Sequence, residues 1–204
     1  MKDEVPPSPS TRTIVYFILH ISSFILFLSS CAKQVEPRIL ADFNSGQQPN
    51  NVGGSYGPFM PNAEDPEQYC RVQYSLEQRS GDTGYALRLD YDIEDTKPAF
   101  NGFWMKLQNL DASAFNTLSL RVNGDRSGCT SRVMLELKNA REKSGVMVKD
   151  ISSTPREYRI ALSEFKDLTT LNGLTEFVII FDDINATRKI GTLYVDDIML
   201  MAAP

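Results

Sequence analysis

Histidine is almost absent from this sequence: its 204 residues include one, His20, which lies in an apolar segment near the N-terminus. Beyond that segment the chain has no imidazole to transfer protons near neutral pH or to bind a transition metal. Catalytic Ser/His/Asp and Cys/His arrangements depend on that ring. They are therefore excluded from the rest of the chain.

Cysteine is also scarce. The chain has three, Cys31, Cys70 and Cys129, and no CxxC pair among them. Zinc sites in proteins usually need such pairs or histidine, so we expect no zinc site. In an exported protein Cys70 and Cys129 could form a disulfide or remain as two buried free thiols, and the sequence leaves both open.

Basic residues are too few for a nucleic-acid partner. Lys and Arg total 21 against 26 Asp and Glu, a formal net charge of −5. Nucleic-acid phosphates and acidic lipid headgroups both attract basic surfaces, so the acidic balance argues against both partners.

Carboxylates remain as candidates for catalysis, but glycoside hydrolysis needs two of them at a defined separation, and no spacing here selects a pair. We therefore expect no enzymatic activity.

The only long apolar run covers residues 14–28, which is short for a membrane-spanning helix of roughly 20 residues. Arg12 precedes it and two small residues follow it, as in a secretory signal. The string LSSC at 28–31 resembles the lipobox of bacterial lipoproteins. That resemblance implies cleavage before Cys31, lipidation of its thiol and, with Ala32 next, attachment to the outer membrane of the bacterial cell envelope.

These signals predict the domain organisation. Residues 1–30 are the predicted lipoprotein signal peptide, residues 31–37 the lipidated cysteine and a short linker, and residues 38–204 a single folded domain. An uncleaved anchor or an ordinary signal peptide is the alternative interpretation of the same flanks. The domain is exported under each of these interpretations.

No long apolar stripe with helical spacing occurs. Instead, segments such as 85–93 alternate apolar and polar residues with the period of two that a half-buried strand shows. Gly, Asn and Asp clusters separate these segments. The pattern predicts an all-β fold, a two-sheet antiparallel β-sandwich or jelly roll. The predicted strands are 38–43, 69–76, 85–93, 100–107, 118–122, 133–138, 145–151, 157–162, 176–181 and 192–201.

Residues 44–68 break this rhythm. The segment is rich in Gly and Pro and shows almost no alternation, so we predict a long loop. A loop of this length in a compact domain is usually functional or disordered. Tyr56, Phe59 and Met60 lie within it, which is unusual for a purely solvated linker.

Five successive segments resemble one group of proteins. They are LADFN at 40–44, NVGG at 51–54, LDASAFNTLSLRV at 110–122, EYRIALSEF at 157–165 and GTLYVDDI at 191–198. In order and number they resemble the galactose-binding-like jelly rolls of family-eleven carbohydrate-binding modules and of the complex I intermediate-associated protein family. The resemblance implies a noncatalytic β-sandwich that often holds a structural calcium and binds its ligand on a sheet face or by edge loops.

Calcium is the cofactor that this resemblance implies. Asp196 shares the predicted face of its strand with Tyr194 and Ile198, where burial is expected, and a buried charge must be paired or coordinated. Calcium takes oxygen ligands. The resemblance implies Asp196 as one ligand, with Asp42 or Asn44 of the first strand as a second. The alternative is that Asp196 lies at a strand end and is solvated or hydrogen-bonded.

The polar faces of several predicted strands suggest a sugar-binding surface. If those strands are neighbours, their outward residues form one surface that carries the only tryptophan. An aromatic ring can stack on the apolar face of a sugar while charged groups hydrogen-bond its hydroxyls. An ordinary solvated sheet face would show the same alternation. The outward residues are Arg88, Asp90, Trp104, Lys106, Ser119, Arg121, Glu136 and Lys138, and our candidate ligand-binding residues are Trp104, Arg88, Asp90, Arg121, Glu136 and Tyr56.

Two hypotheses for function follow. In the first, a membrane-tethered, noncatalytic module recognises a polysaccharide or glycan. In the second, the same sandwich is a scaffold for another envelope protein, as the resemblance to complex I intermediate-associated proteins implies. A broad apolar patch on Tyr56, Phe59 and Met60 would favour the second hypothesis.

Overall fold

The structure is a computed structural model that describes residues 35–61 and 67–202. The predicted signal peptide and Cys31 lie outside these residues, so cleavage and lipid attachment stay predictions. Within the described ranges, no helix combines the length and apolarity needed to cross a membrane.

The described part of the chain folds almost entirely into strands. A short 3-10 helix, Leu162–Glu164, interrupts the series before the last two strands. The strands are β1 (Arg38–Ala41), β2 (Tyr56–Phe59), β3 (Tyr69–Ser75), β4 (Ala86–Asp92), β5 (Phe100–Leu110), β6 (Thr117–Gly124), β7 (Val133–Lys138), β8 (Lys143–Val148), β9 (Arg156–Ala161), β10 (Leu174–Asp182) and β11 (Ile190–Met201).

The strands form two antiparallel sheets, which confirms the predicted β-sandwich. Sheet A has the order β3-β4-β11-β6-β9, with β1 paired to the C-terminal half of β11. Sheet B has the order β2-β5-β10-β7-β8. Consecutive strands β4, β5 and β6 therefore alternate between the sheets, so strands that are neighbours in the sequence are often not neighbours in space.

The core lies between the sheets and follows the alternation of the sequence. Leu89 and Tyr91 of β4 point inward from sheet A, and Phe103 and Phe181 point inward from sheet B; all four are fully buried. The rings of Tyr91 and Phe181 stack across the two layers, with centroids 4.0 Å apart and planes 8° from parallel. Because each sheet buries one face here, the polar positions occupy two opposite outer faces.

The prediction of a strandless loop over 44–68 is wrong in one stretch. Residues 56–59 form β2, which pairs with β5 so that Tyr56 lies opposite Met105 and Gly57 opposite Trp104. Gly57 and Pro58 conceal this strand from pattern analysis because both are poor strand formers. Proline is tolerated here because β2 lies at the edge of sheet B, where one row of backbone N–H groups has no partner strand.

The two described cysteines are free, so the structure shows the thiol alternative rather than the disulfide. Cys70 lies on β3 opposite Tyr91 and is 2% exposed. Burial raises the pKa of the Cys70 thiol to about 12. The thiol is therefore protonated at neutral pH and behaves as a small apolar side chain.

Candidate functional site

The outer face of sheet B carries three successive rows of side chains. Antiparallel register places residues of neighbouring strands side by side, so each row crosses the sheet. The middle row contains the tryptophan, a charged row flanks it on one side, and an apolar row flanks it on the other. The middle row is Gly57, Trp104, Val178, Glu136 and Gly145; the charged row is Lys106, Glu176, Lys138 and Lys143; the apolar row is Phe59, Gly102, Ile180, Met134 and Met147.

These rows enclose an open cleft of about 490 Å³, here named the sheet B cleft. Its size is within the range of roughly 300–1,000 Å³ that is usual for small-ligand sites. Val178 and Ile180 of the central strand β10 form its floor. Aromatic side chains line one part and charged side chains line the other, so the cleft is amphipathic.

Trp104 is held in a fixed orientation at the cleft. Its indole Nε1 donates a hydrogen bond to the carbonyl oxygen of Pro58 at 3.1 Å. The ring leans over Gly57, where an added Cβ would lie 3.6 Å from Cζ2. The Lys106 ammonium lies 5.4 Å from the ring centroid. Trp104 is half-buried, so the ring is anchored and still accessible to a ligand.

Phe59 and Phe100 extend the aromatic part of the cleft. Their ring centroids are 6.4 Å apart with an interplanar angle of 53°. Phe100 is 47% exposed, so its ring is accessible to a ligand. Phe100 and Trp104 lie on the same face of β5 about 13 Å apart along the strand, which provides two separate aromatic contact points.

The charged part is an ordered network of ion pairs. Glu176 accepts hydrogen bonds from Lys106 at 2.5 Å and from Lys138 at 2.8 Å. Glu136 lies 3.7 Å from both Lys138 and Lys143. Burial raises the pKa of Glu176, but its hydrogen bonds from the two lysines outweigh burial and hold that pKa below the usual value. Glu176 is therefore ionised at neutral pH, and the network presents ammonium donors and carboxylate acceptors side by side.

The expectation of one continuous polar surface is wrong. Trp104 and Glu136 come together on sheet B, but Arg88 and Asp90 of β4 and Arg121 of β6 lie on the outer face of sheet A. Alternation along a strand shows which residues point outward, but it does not show which sheet the strand joins. Arg88 donates from Nε to Asp90 at 2.9 Å, while Arg121 lies opposite Asp196 and Glu157.

Tyr56 is not a surface residue. Its side chain is 4% exposed and packs against Phe43 and Phe103, and its hydroxyl lies 2.6 Å from the hydroxyl of Tyr74. Burial is the main cause that raises its pKa above the usual value. Because Tyr56 belongs to the core, the broad apolar patch with Phe59 and Met60 does not form, and Phe59 contributes to the sheet B cleft instead.

Asp196 is buried, as the sequence pattern predicts, but on the other side of the sheet. The pairing of β11 with β6 shifts register between Asp196 and Met199, and Asp197 has a φ of 48°. This β-bulge leaves Asp196 on the outer face with Tyr194, while Ile198 turns into the core. Oδ2 of Asp196 accepts from the Ser80 N–H at 2.7 Å. Burial raises the pKa of Asp196 to about 6.

The predicted calcium ligands Asp42 and Asp196 both accept hydrogen bonds within the protein. Asp42 accepts hydrogen bonds from the Asn44 N–H and the Asn51 side-chain amide, each at 3.1 Å, whereas Asp196 accepts from Ser80 and from the Asp197 N–H. The two carboxylates thus use different partners. Among the described residues, no group of three His, Cys, Asp or Glu side chains is placed to hold a metal ion. Calcium binding stays a prediction from the resemblance.

Sequence reasoning missed two members of the charged row, Glu176 and Lys143. Strand β10 is apolar on both faces from Phe177 to Phe181, because one face packs in the core and the other forms the apolar floor of the cleft. With no alternation in this run, the sequence does not show on which face Glu176 lies. Lys143 begins β8, and the predicted strand starts two residues later. A β7–β8 hairpin pairs Lys138 with Lys143, so recognition of this hairpin in the sequence would have placed Lys143 beside Lys138.

Comparisons with known proteins connect this fold to carbohydrate-binding modules. No protein-family model and no curated protein matches the sequence. Among solved structures, the family 11 module of a cellulosomal cellulase of Clostridium thermocellum matches with a TM-score of 0.61 and 17% identity, over 83% of this chain and 96% of that module. A structure of a family 11 module from the same organism with a β-1,3-1,4-mixed-linked tetrasaccharide matches with a TM-score of 0.60 and 17% identity, over 83% and 97%.

A family 27 carbohydrate-binding module of Caldicellulosiruptor saccharolyticus, in complex with mannohexaose, matches with a TM-score of 0.56 and 14% identity. The match covers 83% of this chain and all of that module, 100%. At such low identities the matches establish the fold. The chain shares the β-sandwich architecture of family 11 and family 27 carbohydrate-binding modules.

Proposed function

We propose that this protein is a noncatalytic module that binds a polysaccharide or glycan in the sheet B cleft. The observation that carries the proposal is the position of Trp104, an anchored and accessible indole beside the ion-paired row of Lys106, Glu176 and Lys138.

A sugar ring fits this combination of groups. A pyranose presents an apolar C–H face, which can stack on the indole or on Phe100, while its hydroxyls point outward from the ring edge. Ammonium groups donate hydrogen bonds and carboxylates accept them. The row of Lys106, Glu176 and Lys138 can therefore bind sugar hydroxyls that act as acceptors and sugar hydroxyls that act as donors. Because the network holds these groups in place before binding, little side-chain entropy is lost on complex formation.

The solved structures of similar fold support this ligand class. Two of them are complexes with oligosaccharides, a β-1,3-1,4-mixed-linked tetrasaccharide and mannohexaose. We extend this ligand class to the present chain because a cleft with an aromatic and a charged part lies on one of its sheets. These two oligosaccharides are accordingly suitable first probes.

The carboxylates of the cleft favour binding over catalysis. A glycosidase acid needs a raised pKa so that it is protonated at neutral pH. Glu176 has the opposite property, because Lys106 and Lys138 hold its pKa below the usual value. Glu136 is flanked by Lys138 and Lys143. Glu176 is therefore not arranged as a proton donor to a glycosidic oxygen.

The membrane-tethered form of the proposal depends on the sequence alone. The lipobox-like string that ends at Cys31 supports a lipid anchor in the bacterial cell envelope, at the outer membrane. In that form the module holds a glycan close to the membrane surface.

The test is a calorimetric titration of the protein with the mixed-linked tetrasaccharide and with mannohexaose. Trp104→Ala removes the stacking surface, and we expect it to weaken binding by at least about 10-fold, or ~1.4 kcal/mol. Tyr158→Ala is the matched control, since Tyr158 is a half-buried aromatic residue on β9 of sheet A, and it should leave the affinity unchanged. Equal affinity of Trp104→Ala and the wild type, or no binding across a wider glycan panel, would contradict the proposal.

A further inference from the structure

Sheet A has a cleft of its own, of about 400 Å³, on the face opposite the sheet B cleft. We name it the arginine cleft, because guanidinium groups from three different elements line it. Arg71 comes from β3, Arg88 from β4 and Arg188 from the segment before β11. The lining is mainly polar and the function proposed above makes no use of it.

Each of the three guanidinium groups is fixed through one part of the side chain. Arg88 donates from Nε to both oxygens of Asp90, at 2.9 and 3.0 Å. Arg188 donates from Nε to the carbonyl oxygen of Ile190 at 3.1 Å. The guanidinium of Arg71 stacks on the ring of Tyr69, with its carbon 4.2 Å from the ring centroid.

These contacts leave the ends of the three side chains available. Within the described ranges, the terminal Nη groups of Arg71, Arg88 and Arg188 donate to no other protein atom. The contacts therefore fix the orientation of each guanidinium group, while its terminal N–H donors remain available to a ligand. Such donors suit an oxyanion, which a guanidinium can bind through two parallel N–H···O bonds.

The backbone at Gly128 makes room for one of these groups. An added Cβ at this position would lie 2.2 Å from Nη1 of Arg188, and the φ of Gly128, 134°, is one that L side chains rarely adopt. Glycine is therefore required both for the local conformation and for the close approach of the guanidinium. Arg188 is seated against this turn and does not extend freely into solvent.

The local charge also favours an anion. The three guanidinium groups face one lining carboxylate, Asp90, and the nearby Asp125 carboxylate also interacts electrostatically with Arg88. The three positive charges still exceed these two negative charges, in a chain of net charge −5. Asp90 is itself occupied, since it accepts from Arg88 and from the hydroxyl of Thr192 at 2.5 Å. It therefore does not compete for the free Nη groups of Arg71 and Arg188.

We propose that the arginine cleft is a second binding site, which takes an oxyanion such as a carboxylate, sulfate or phosphate group. The juxtaposition of Arg71, Arg88 and Arg188 around one occupied carboxylate carries this proposal. The site lies on sheet A and shares no residue with the sheet B cleft. The proposal of an oxyanion site is therefore independent of the proposed glycan site.

The test follows backbone amide resonances of the ¹⁵N-labelled protein during titrations with sulfate, phosphate and glucuronate at constant ionic strength. We expect saturable shifts at Gly128 and Thr192. Arg71→Gln, on the exposed edge strand β3, should weaken binding by at least about fivefold, because it removes one fork without touching the turn at Gly128. The matched control is Arg156→Gln, which removes an exposed arginine that stacks on Tyr158 at the other edge of sheet A, 5.2 Å from its centroid. It should leave binding unchanged.

Two results would overturn the proposal. One is the absence of saturable shifts with all three anions, and the other is an equal dissociation constant for the wild type and Arg71→Gln. If binding occurs, the comparison of the three anions identifies which class of ligand carries the oxyanion. Tighter binding of glucuronate than of the inorganic ions assigns the site to an acidic sugar, whereas equal binding assigns it to a free oxyanion. Either result supports an oxyanion site.

Discussion

At the scale of single residues, Glu176 organises the sheet B cleft. Its side chain is 16% exposed and bridges Lys106 and Lys138, so it fixes the position of both ammonium groups. Partly exposed ion pairs usually contribute little to stability, but an ordered network contributes more than an isolated pair. Glu176 therefore combines a moderate role in stability with the placement of the polar groups that the proposed ligand contacts.

Glu176→Gln should reduce the free energy of unfolding at pH 7 by about 1 kcal/mol, because both lysines lose a charged partner. The folded-state pKa of Glu176 is lowered, so its contribution is present above the unfolded-state pKa and is lost as the pH falls through the folded-state pKa. Urea unfolding at pH 7 and pH 3 measures this: the variant should be less stable than the wild type at pH 7 and similar to it at pH 3.

The control for this experiment is Glu94→Gln, which changes an exposed glutamate outside the cleft. It should have no measurable effect at either pH. A Glu176→Gln variant as stable as the wild type at pH 7, or equally destabilised at both pH values, would show that the ion pairs do not stabilise the fold.

At the scale of elements, sequence patterns located most strands but not their neighbours. Alternation predicted β4 and β7 well because each has one apolar and one polar face. It missed β2, where Gly57 and Pro58 replace the usual strand formers. Alternation also placed Asp196 and Ile198 on the same face of β11, which is wrong. A β-bulge reverses the side on which the following residues lie but leaves the apolar pattern of the sequence almost intact.

The pairing of β5 with β10 supports the whole cleft, and Gly102 makes it possible. An added Cβ at Gly102 would lie 2.0 Å from the carbonyl oxygen of Ile179 on β10. Gly102→Ala should therefore push the two strands apart and destabilise the protein by about 2–3 kcal/mol. Chemical denaturation of the purified variant measures the change.

Gly57→Ala is the matched control on the neighbouring strand. Its new methyl group would meet the Trp104 ring at 3.6 Å, an ordinary van der Waals distance. We expect a change within about 0.5 kcal/mol. Equal stability of the Gly102→Ala and Gly57→Ala variants would contradict the close approach of β5 and β10.

At the scale of the whole molecule, the order of strands decides which outward residues act together. The predicted sugar-binding set mixed two surfaces because β4 and β6 join sheet A while β5 and β7 join sheet B. The sequence could predict a β-sandwich, since alternation and turn residues are local signals. Strand order depends on contacts between distant segments, so Trp104 and Glu136 were found without Glu176, the residue that links their strands.

The fold separates two chemically different faces. Sheet B presents aromatic rings beside an ion-paired row, and sheet A presents the arginine cleft. Because the packed core lies between the sheets, a ligand on one face does not contact the other. A polysaccharide could thus occupy sheet B while an oxyanion occupies sheet A.

The central claim is that a glycan binds against Trp104 on sheet B. Trp104 is the only tryptophan of the chain, so its fluorescence reports on this cleft alone. Titration with the mixed-linked tetrasaccharide or mannohexaose should produce a saturable change in emission with the dissociation constant found by calorimetry. Calorimetric binding with no change in tryptophan emission would place the sugar elsewhere and contradict the claim.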